Sequence, residues 1–471
     1  MPIMQLPISG PAYQNTDDQM LDKFSAEIRN LYVNRGGYSE KRDGLTSWVN
    51  LGTSRSIDAL YWWETQQVVL AVSNGELFKI TDSLGTTVQL TTGDKLAIGV
   101  RTVIDDNGTT AVLANGGGIL TTSISGPAVF HPDSDAPSAC THVAFHDQYL
   151  LYNNAGTGTW GISEVADYAT IRAIDIFSAE TRPDKINSIY IGLGEIVFFG
   201  AKTIEFWVND GVTPFSRISQ ATIERGVSAP YSPVLANDRW LFLDHNRKVV
   251  EIQGRRPVEV SDPVDKIIQG MAQVDGAFGQ VYHMNGWPLY VLNFPQASRT
   301  LVYNYLQQDW SEWDYFNQTQ GTMERYRGNA YCYAIPWNLH LVGDYENGII
   351  YTSSNGVYQD NSNVIKCRRR SGFVTHGTFN RKVSHRVNIR LKQSVATTAV
   401  PNPYMTVRWR DENGAWTQER WIDLGPVGDH NNVVSLTQLG TYRSRQWEIG
   451  FTENAPFVLG DAQEDVELLS S

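Results

Sequence analysis

The densest group of side chains able to do chemistry is Lys366-Cys-Arg-Arg-Arg370, followed closely by Arg381, Lys382, Arg386 and Arg390. Clustered cations attract phosphate or a carboxylate-rich protein surface, most strongly when one rigid face holds them together. Lys366, Arg368, Arg369, Arg370, Arg381 and Lys382 are therefore expected to form a docking strip for an acidic neighbour or a phosphate contact, unless internal salt bridges consume them. Only Phe373 and Phe379 are interleaved there, too few to stack single-stranded bases, so sequence-specific nucleic-acid recognition is not expected.

Catalytic patterns are missing. There is no His-Glu-x-x-His, and His142 with His146 lacks a third ligand at metal spacing, so both read as core or surface histidines. Asp105-Asp-Asn-Gly108 lacks the alternating ligands and final glutamate of a calcium loop. Asn115-Gly-Gly-Gly118 lacks the lysine and hydroxyl residue that end a phosphate-cradling loop, and no Gly-x-Ser-x-Gly elbow is present. Arg410-Asp-Glu-Asn-Gly-Ala-Trp416 is similar to the aspartate-box hairpin of sialidase-like propellers, but it occurs once and that box is structural even in sialidases. We expect no enzyme activity, no cofactor and no metal. The alternative is a propeller-type glycan-binding or glycan-cleaving protein, which would need carboxylates, arginines and tryptophans converging on one face.

These residues must be positioned by strands. The 471-residue chain exceeds what one core usually supports, and 22 Tyr, 14 Trp and 40 Gly favour strands joined by tight turns. Asn-Gly occurs at Asn74, Asn107, Asn115, Asn285, Asn347, Asn355 and Asn413, and Asp-Gly at Asp43, Asp210 and Asp275, each a hairpin signal. From Ser56 to Asn363 the strand clusters recur at a spacing of roughly 40 to 50 residues, which suits four-stranded propeller blades. Seven clusters, from Ala59–Trp62 through Val100–Ile104, His142–Phe145, Ile186–Tyr190, Arg239–Leu243 and Pro288–Leu292 to Asn338–Val342, predict inner or central strands of six or seven blades. Trp62, Trp63, Trp287, Trp310, Trp313 and Trp337 fall beside turns and should pack the blades.

The fold class is thus all-β, a β-propeller of six or seven blades with a C-terminal β-sandwich. Residues 1–50 read as an N-terminal arm with a short helix over Asp17 to Ile28, 51–365 as the propeller, and 366–471 as the sandwich. Cys140, Cys332 and Cys367 are odd in number and widely spaced, which predicts isolated thiols in a protein made in a reducing cytoplasm. No secretory signal and no apolar run of about 18 residues is visible. A formal net charge of −12 argues against coating DNA and suits a wall that DNA slides past.

Several segments resemble a known family. These are Glu195–Gly211 with Ile223-Glu-Arg-Gly-Val-Ser-Ala-Pro230 and Asp238–Asp244; the opening Met1–Pro7; Asn30–Val33 leading to Lys41–Leu45; Ala71–Lys79; and Gln446–Phe451. Together they resemble the packaged-DNA stabilisation, or tail accessory, proteins of short-tailed bacteriophages. The resemblance implies a virion structural protein of the tail hub or nozzle, synthesised in the host cytoplasm. It implies a homo-oligomeric ring, a hexamer, that continues the channel of the portal and adaptor, holds packaged DNA in and passes it during ejection. Implied partners are the adaptor, the tail needle, tailspikes or fibres, and genomic DNA transiently in the lumen, with no membrane span.

Overall fold

A computed structural model describes residues 3–8, 26–179, 184–211, 214–392, 395–412, 414–426 and 433–469. Strands dominate throughout. Helical structure among the described residues is one five-residue α-helix, Asp265–Gln269, and three-residue 3-10 turns at 262–264, 295–297 and 335–337.

Residues 44–354 build a β-propeller of seven four-stranded blades. Five blades are separate antiparallel sheets, beginning with Ile57–Trp63, Val103–Asp106, Val143–His146, Ile186–Gly192 and Val234–Ala236. The sixth, beginning with Phe278–Met284 and ending with Asp309–Asn317, and the seventh, beginning with Gly328–Ala334, lie within larger sheets. Of the seven expected strand clusters, the first four fall on or beside innermost strands and the last three on second strands. Apolar runs such as Val68–Ser73 and Trp287–Phe294 are buried at every position, because a middle strand of a blade is covered on both faces by its neighbours.

Closure comes from the N-terminal side. Gly44–Asn50 is the fourth strand of blade 7, antiparallel to Ile349–Ser354, and the chain then enters blade 1. Gly44 is required at its start, since a Cβ there would lie 2.2 Å from the Gln359 carbonyl oxygen. The Arg-Gly-Val-Ser elbow joins blades 4 and 5 in the same manner. A Cβ on Gly226 would meet the Ala201 backbone at 2.0 Å, while Arg225 reaches the buried Asp244 at 3.0 Å and Glu259 at 2.6 Å.

The C-terminal unit is a β-sandwich whose two sheets both recruit N-terminal strands. One sheet holds Ile3–Leu6, Leu31–Val33 and Ser39–Lys41 with Lys382–Leu391, Val433–Thr437, Thr441–Tyr442 and Val458–Leu468. The other holds Glu27–Arg29 with Cys367–Val374, Arg445–Phe451, Tyr404–Asp411 and Arg420–Asp423. Between them lies a core in which Leu6, Ile28 and Leu31 pack with Val387, Trp409, Trp447 and Leu459. Hydrogen bonding therefore divides the arm expected over residues 1–50: its described strands up to Lys41 belong to the sandwich, and Gly44–Asn50 belongs to the propeller. Glu27–Arg29 is a strand, so the helix expected over Asp17 to Ile28 does not extend to its C-terminal end; residues 17–25 lie outside the described residues.

Glu27–Arg29 also pairs in parallel with the outer strand of blade 6, placing Arg29 opposite Glu312. One ten-stranded sheet therefore runs from blade 6 into the sandwich.

Candidate docking face

Strand alternation sorts the basic cluster. Along Cys367–Val374 successive side chains point to opposite faces, so Lys366, Arg368 and Arg370 share the outer face while Cys367 and Arg369 point inward. Arg369 is 1% exposed and its Nε donates to the Ile8 carbonyl at 3.0 Å. Lys382 sits on the other sheet of the sandwich, buried, with Nζ donating to the carbonyls of Thr378, Asn380 and Arg443 at 2.7–2.8 Å. Burial lowers the pKa of Lys382. Arg381 lies beside it, exposed. The six strip residues thus do not form one surface. Arg369 and Lys382 hold the sandwich together, Arg381 is on a separate face, and Lys366, Arg368 and Arg370 share one sheet face.

On that face the charges run in rows across strands. Glu27 is opposite Arg370, Arg370 opposite Glu448, and Glu448 opposite Arg408. The contacts follow: Arg370 Nε donates to Glu448 Oε2 at 2.9 Å, Arg370 lies 3.2 Å from Glu27, and Arg408 Nε donates to Glu448 Oε1 at 2.7 Å. This row is self-neutralised. Its neighbour runs Arg29, Arg368, Gly450, Thr406, Trp421. Here Arg29 is held by Glu27, Glu312 and Asp314 at 2.6–3.1 Å, but Arg368 comes no closer than 3.9 Å to Glu27 and 4.0 Å to Glu448. Lys366 Nζ rests 3.3 Å from the Phe316 ring centre.

Gly450 and Thr406 are short, so the second row sinks into a cleft of about 300 Å³ between Lys366 and Arg368 on one side and Trp421 on the other. Tyr404 and Arg408 line its ends. Trp421 is 62% exposed, which is unusual for an indole without a partner. Nearby, the Trp416 ring of the aspartate-box-like hairpin receives Arg370, Arg408 and Arg410 at 5.0–5.3 Å and so stiffens the guanidinium array. Sequence reading missed Glu27, Arg29, Arg408, Trp421, Glu448 and Gly450, which the fold brings here from four distant segments. Period-two alternation from Lys366 would have separated Arg369 from its neighbours.

The half-buried side chain of Arg101 reaches across the middle of the propeller. The Arg101 guanidinium lies 3.5 Å from the Phe278 ring centre of blade 6 and donates to the Asn329 carbonyl of blade 7. Asp58 of blade 1, Tyr190 of blade 4 and Tyr231 are its electrostatic neighbours, and burial pushes its pKa down to about 10. Only a residue at the centre of the ring can meet so many blades. His142, fully buried, stacks on Tyr231 with ring centres 5.0 Å apart, and burial pushes its pKa down to about 3.

Of the six tryptophans expected to pack blades, Trp63, Trp287, Trp310 and Trp313 are buried, while Trp62 meets Trp337 edge-on at 5.1 Å between blades 1 and 7. The three cysteines are free and buried, and burial raises Cys140 and Cys332 to about 12 and Cys367 to about 11. Among the described residues no three His, Cys, Asp or Glu side chains lie together as metal ligands, and no helix is long and apolar enough to cross a membrane.

Among solved structures, the N-terminal domain of Nup159 is 10% identical with a TM-score of 0.44, covering 70% of this chain and 98% of that one. YCF48 bound to D1 peptide is 11% identical with a TM-score of 0.41, covering 65% and 96%. An auxiliary nutrient binding protein from Bacteroides thetaiotaomicron is 10% identical with a TM-score of 0.40, covering 68% and 81%. No curated protein matches the sequence. Residues 4–357, spanning the closing strand and all seven blades, match the phage stabilisation family described as Bacteriophage P22 Gp10, beta-propeller. The chain belongs to that family and is a structural protein of a bacteriophage virion.

Proposed function

We propose that the chain is a subunit of the tail hub or nozzle, a ring below the portal and adaptor that closes the channel over packaged DNA and passes the DNA during ejection. The observation that carries this reading, beside the family, is the set of contacts that Arg101 makes across the propeller centre. A strand of DNA cannot thread a propeller whose centre is packed by Arg101, Phe278 and Asn329, so a channel has to lie between subunits. Copies arranged head to tail close such a ring. With a net charge of −12 per chain, a lumen lined by this protein repels the phosphate backbone and lets it slide.

In this reading the protein is non-enzymatic, sits in the virion tail, forms a hexamer, meets the adaptor directly and offers a lower face to needle, spikes or fibres. The propeller is the wall of the ring. The sandwich, built from residues 366–471 with strands from the first 41, is a rigid outrigger for neighbours, since one continuous sheet joins it to blade 6.

The test is DNA retention. Particles assembled without this chain should fill and then lose their DNA, and adding the purified protein should restore retention and place a ring at the portal vertex by electron microscopy. Stable, filled particles without the chain would overturn the proposal.

A further inference from the structure

We propose that the cleft beside Trp421 receives the outer edge of blade 3 of a second copy of this chain, and that this contact is the head-to-tail joint of the ring; the inference rests on the hub reading above.

The receiving side has the composition of an interface centre. Trp421 and Tyr404 are exposed aromatics, flanked by Arg408 and by the two cations that the row of ion pairs leaves under-neutralised, Lys366 and Arg368. Tryptophan, tyrosine and arginine around a depression are the residue types that carry most binding energy between proteins. Glu27, Glu419 and Glu448 share this face, which disfavours a polyphosphate while leaving room for single carboxylates.

The entering side has complementary chemistry. The outer strand of blade 3, Asp167–Ser178, pairs regularly only at its ends: Ser163 is opposite Ile171 and Gly161 opposite Ile176, so residues 172–175 bulge outward. Ile174 at the tip is 80% exposed and Ile176 is 47% exposed. The loop from blade 2 holds this bulge, with Asp133 accepting from the Ile171 N–H at 3.0 Å and Asp135 from the Ala173 N–H at 3.2 Å. The result is an apolar tip among Asp133, Asp135 and Asp175, with Arg172 of the same bulge paired to Glu164, on an edge that no further strand covers among the described residues. A bulged edge discourages indiscriminate strand pairing and so suits a specific contact.

Placement supports the pairing. The sandwich extends from the outer strand of blade 6, and blade 3 lies three steps away in a ring of seven. The sandwich and the blade 3 edge therefore lie on nearly opposite sides of one molecule, roughly 150° apart around the axis of a seven-blade propeller. A closed ring with heterologous contacts needs two different faces aimed at two different neighbours.

Cysteine cross-linking in assembled rings tests the joint, because the native thiols Cys140, Cys332 and Cys367 are all buried. Ile174→Cys and Trp421→Cys are placed singly and together in the full chain, rings are formed alone or on tail-less particles, and a short bismaleimide is added. The double variant should give a ladder of multimers, an equal mixture of the single variants should stop at dimers, and either single variant alone should give none. In parallel, Ile174→Asp should abolish ring formation with an unchanged melting temperature. Rings that form but give no ladder, or single variants that dimerise with themselves, would sink the joint and leave the hub reading standing. Failure of the unmodified chain to form rings either alone or on particles would sink the hub reading first.

Discussion

Arg42 and Asp360, both removed from water, form a two-pronged ion pair in which Nη1 meets Oδ1 at 2.9 Å and Nη2 meets Oδ2 at 2.5 Å. The same guanidinium donates to the carbonyls of Asp43 and Asp314 and, through Nε, to the Asn30 side chain. Arg42 stands between the last N-terminal strand of the sandwich and the closing strand of blade 7, and Asp314 is on blade 6. One side chain therefore ties together the sandwich and the seam where the propeller closes. It also explains why the chain crosses from one unit to the other at this point: each donor of a buried guanidinium must find an acceptor.

Removing one partner should expose that dependence. Asp360→Asn keeps the shape but leaves Arg42 buried without its countercharge, a change that costs about 3–5 kcal/mol in buried pairs. Urea unfolding should register the loss as a lower midpoint, with the transition of the sandwich separating from that of the propeller. Loss below about 1 kcal/mol would mean that Asp314 and Asn30 alone satisfy the guanidinium.

The sandwich should not fold from its C-terminal residues alone. Leu6, Ile8, Ile28, Leu31 and Val33 belong to the same buried cluster as Val407, Trp447 and Leu459, and the strands that carry them complete both sheets. A fragment of residues 366–471 should be protease-sensitive, and addition in trans of a peptide covering residues 1–43 should protect it. A fragment that is resistant by itself would show that the N-terminal strands merely decorate a finished core.

His142 makes stability fall in acid. Its folded pKa, pushed down to about 3 by burial, is below that of the unfolded chain, so the unfolded chain binds the proton first. Its contribution is complete above about pH 6.5 and is lost as pH falls toward 3, at about 1.4 kcal/mol per pH unit within that window. Asp105, raised to about 6 mainly by burial, works in the opposite sense: its stability is greatest at low pH and declines as pH rises from about 4 to 6. His142→Phe keeps a ring against Tyr231 and removes the proton site, so the difference in unfolding free energy between variant and wild type should change with pH along the slope given. A pH-independent difference would contradict the assignment.

Blade-sized periodicity was legible because each blade is local: its strands follow one another, and their apolar runs are continuous. The turn signals were less faithful than the strands. Of the turn signals that fall wholly within the described residues, only Asn74-Gly75 and Asn285-Gly286 sit as two-residue turns with both φ angles positive, while Asp147-Gln148 and Leu193-Gly194 adopt the same geometry without Asn. The closing strand Gly44–Asn50 pairs with residues some 300 positions away, and nothing local in a strand records its partner. The candidate face was half legible for the same reason. Lys366, Arg368 and Arg370 stood out as a run, whereas Trp421, Gly450 and Glu27 join them only through cross-strand register.

Substitutions that remove or reverse charge among the basic residues should therefore split into three outcomes. Lys382→Met removes a buried ammonium that donates to three backbone carbonyls, and hydrogen bonds to charged groups contribute about 1.5–3 kcal/mol each, so melting temperature should fall steeply. Arg369→Met should act likewise, because its guanidinium lies inside the sandwich against the Ile8 carbonyl. Arg381→Glu changes an exposed residue away from the cleft and should move stability by no more than about 0.5 kcal/mol. Lys366→Glu should also leave melting almost unchanged, since Lys366 has an aromatic ring rather than a carboxylate beneath it. It should nevertheless weaken ring assembly, and more so at low salt than at high, because a charge that steers association is screened by ions whereas a buried one is not. Thermal melts and sedimentation of the four variants at two salt concentrations make the separation. If Lys366→Glu melts early, or if Arg381→Glu is the variant that fails to assemble, the cleft beside Trp421 is not the docking surface and the exposed face around Arg381 takes its place.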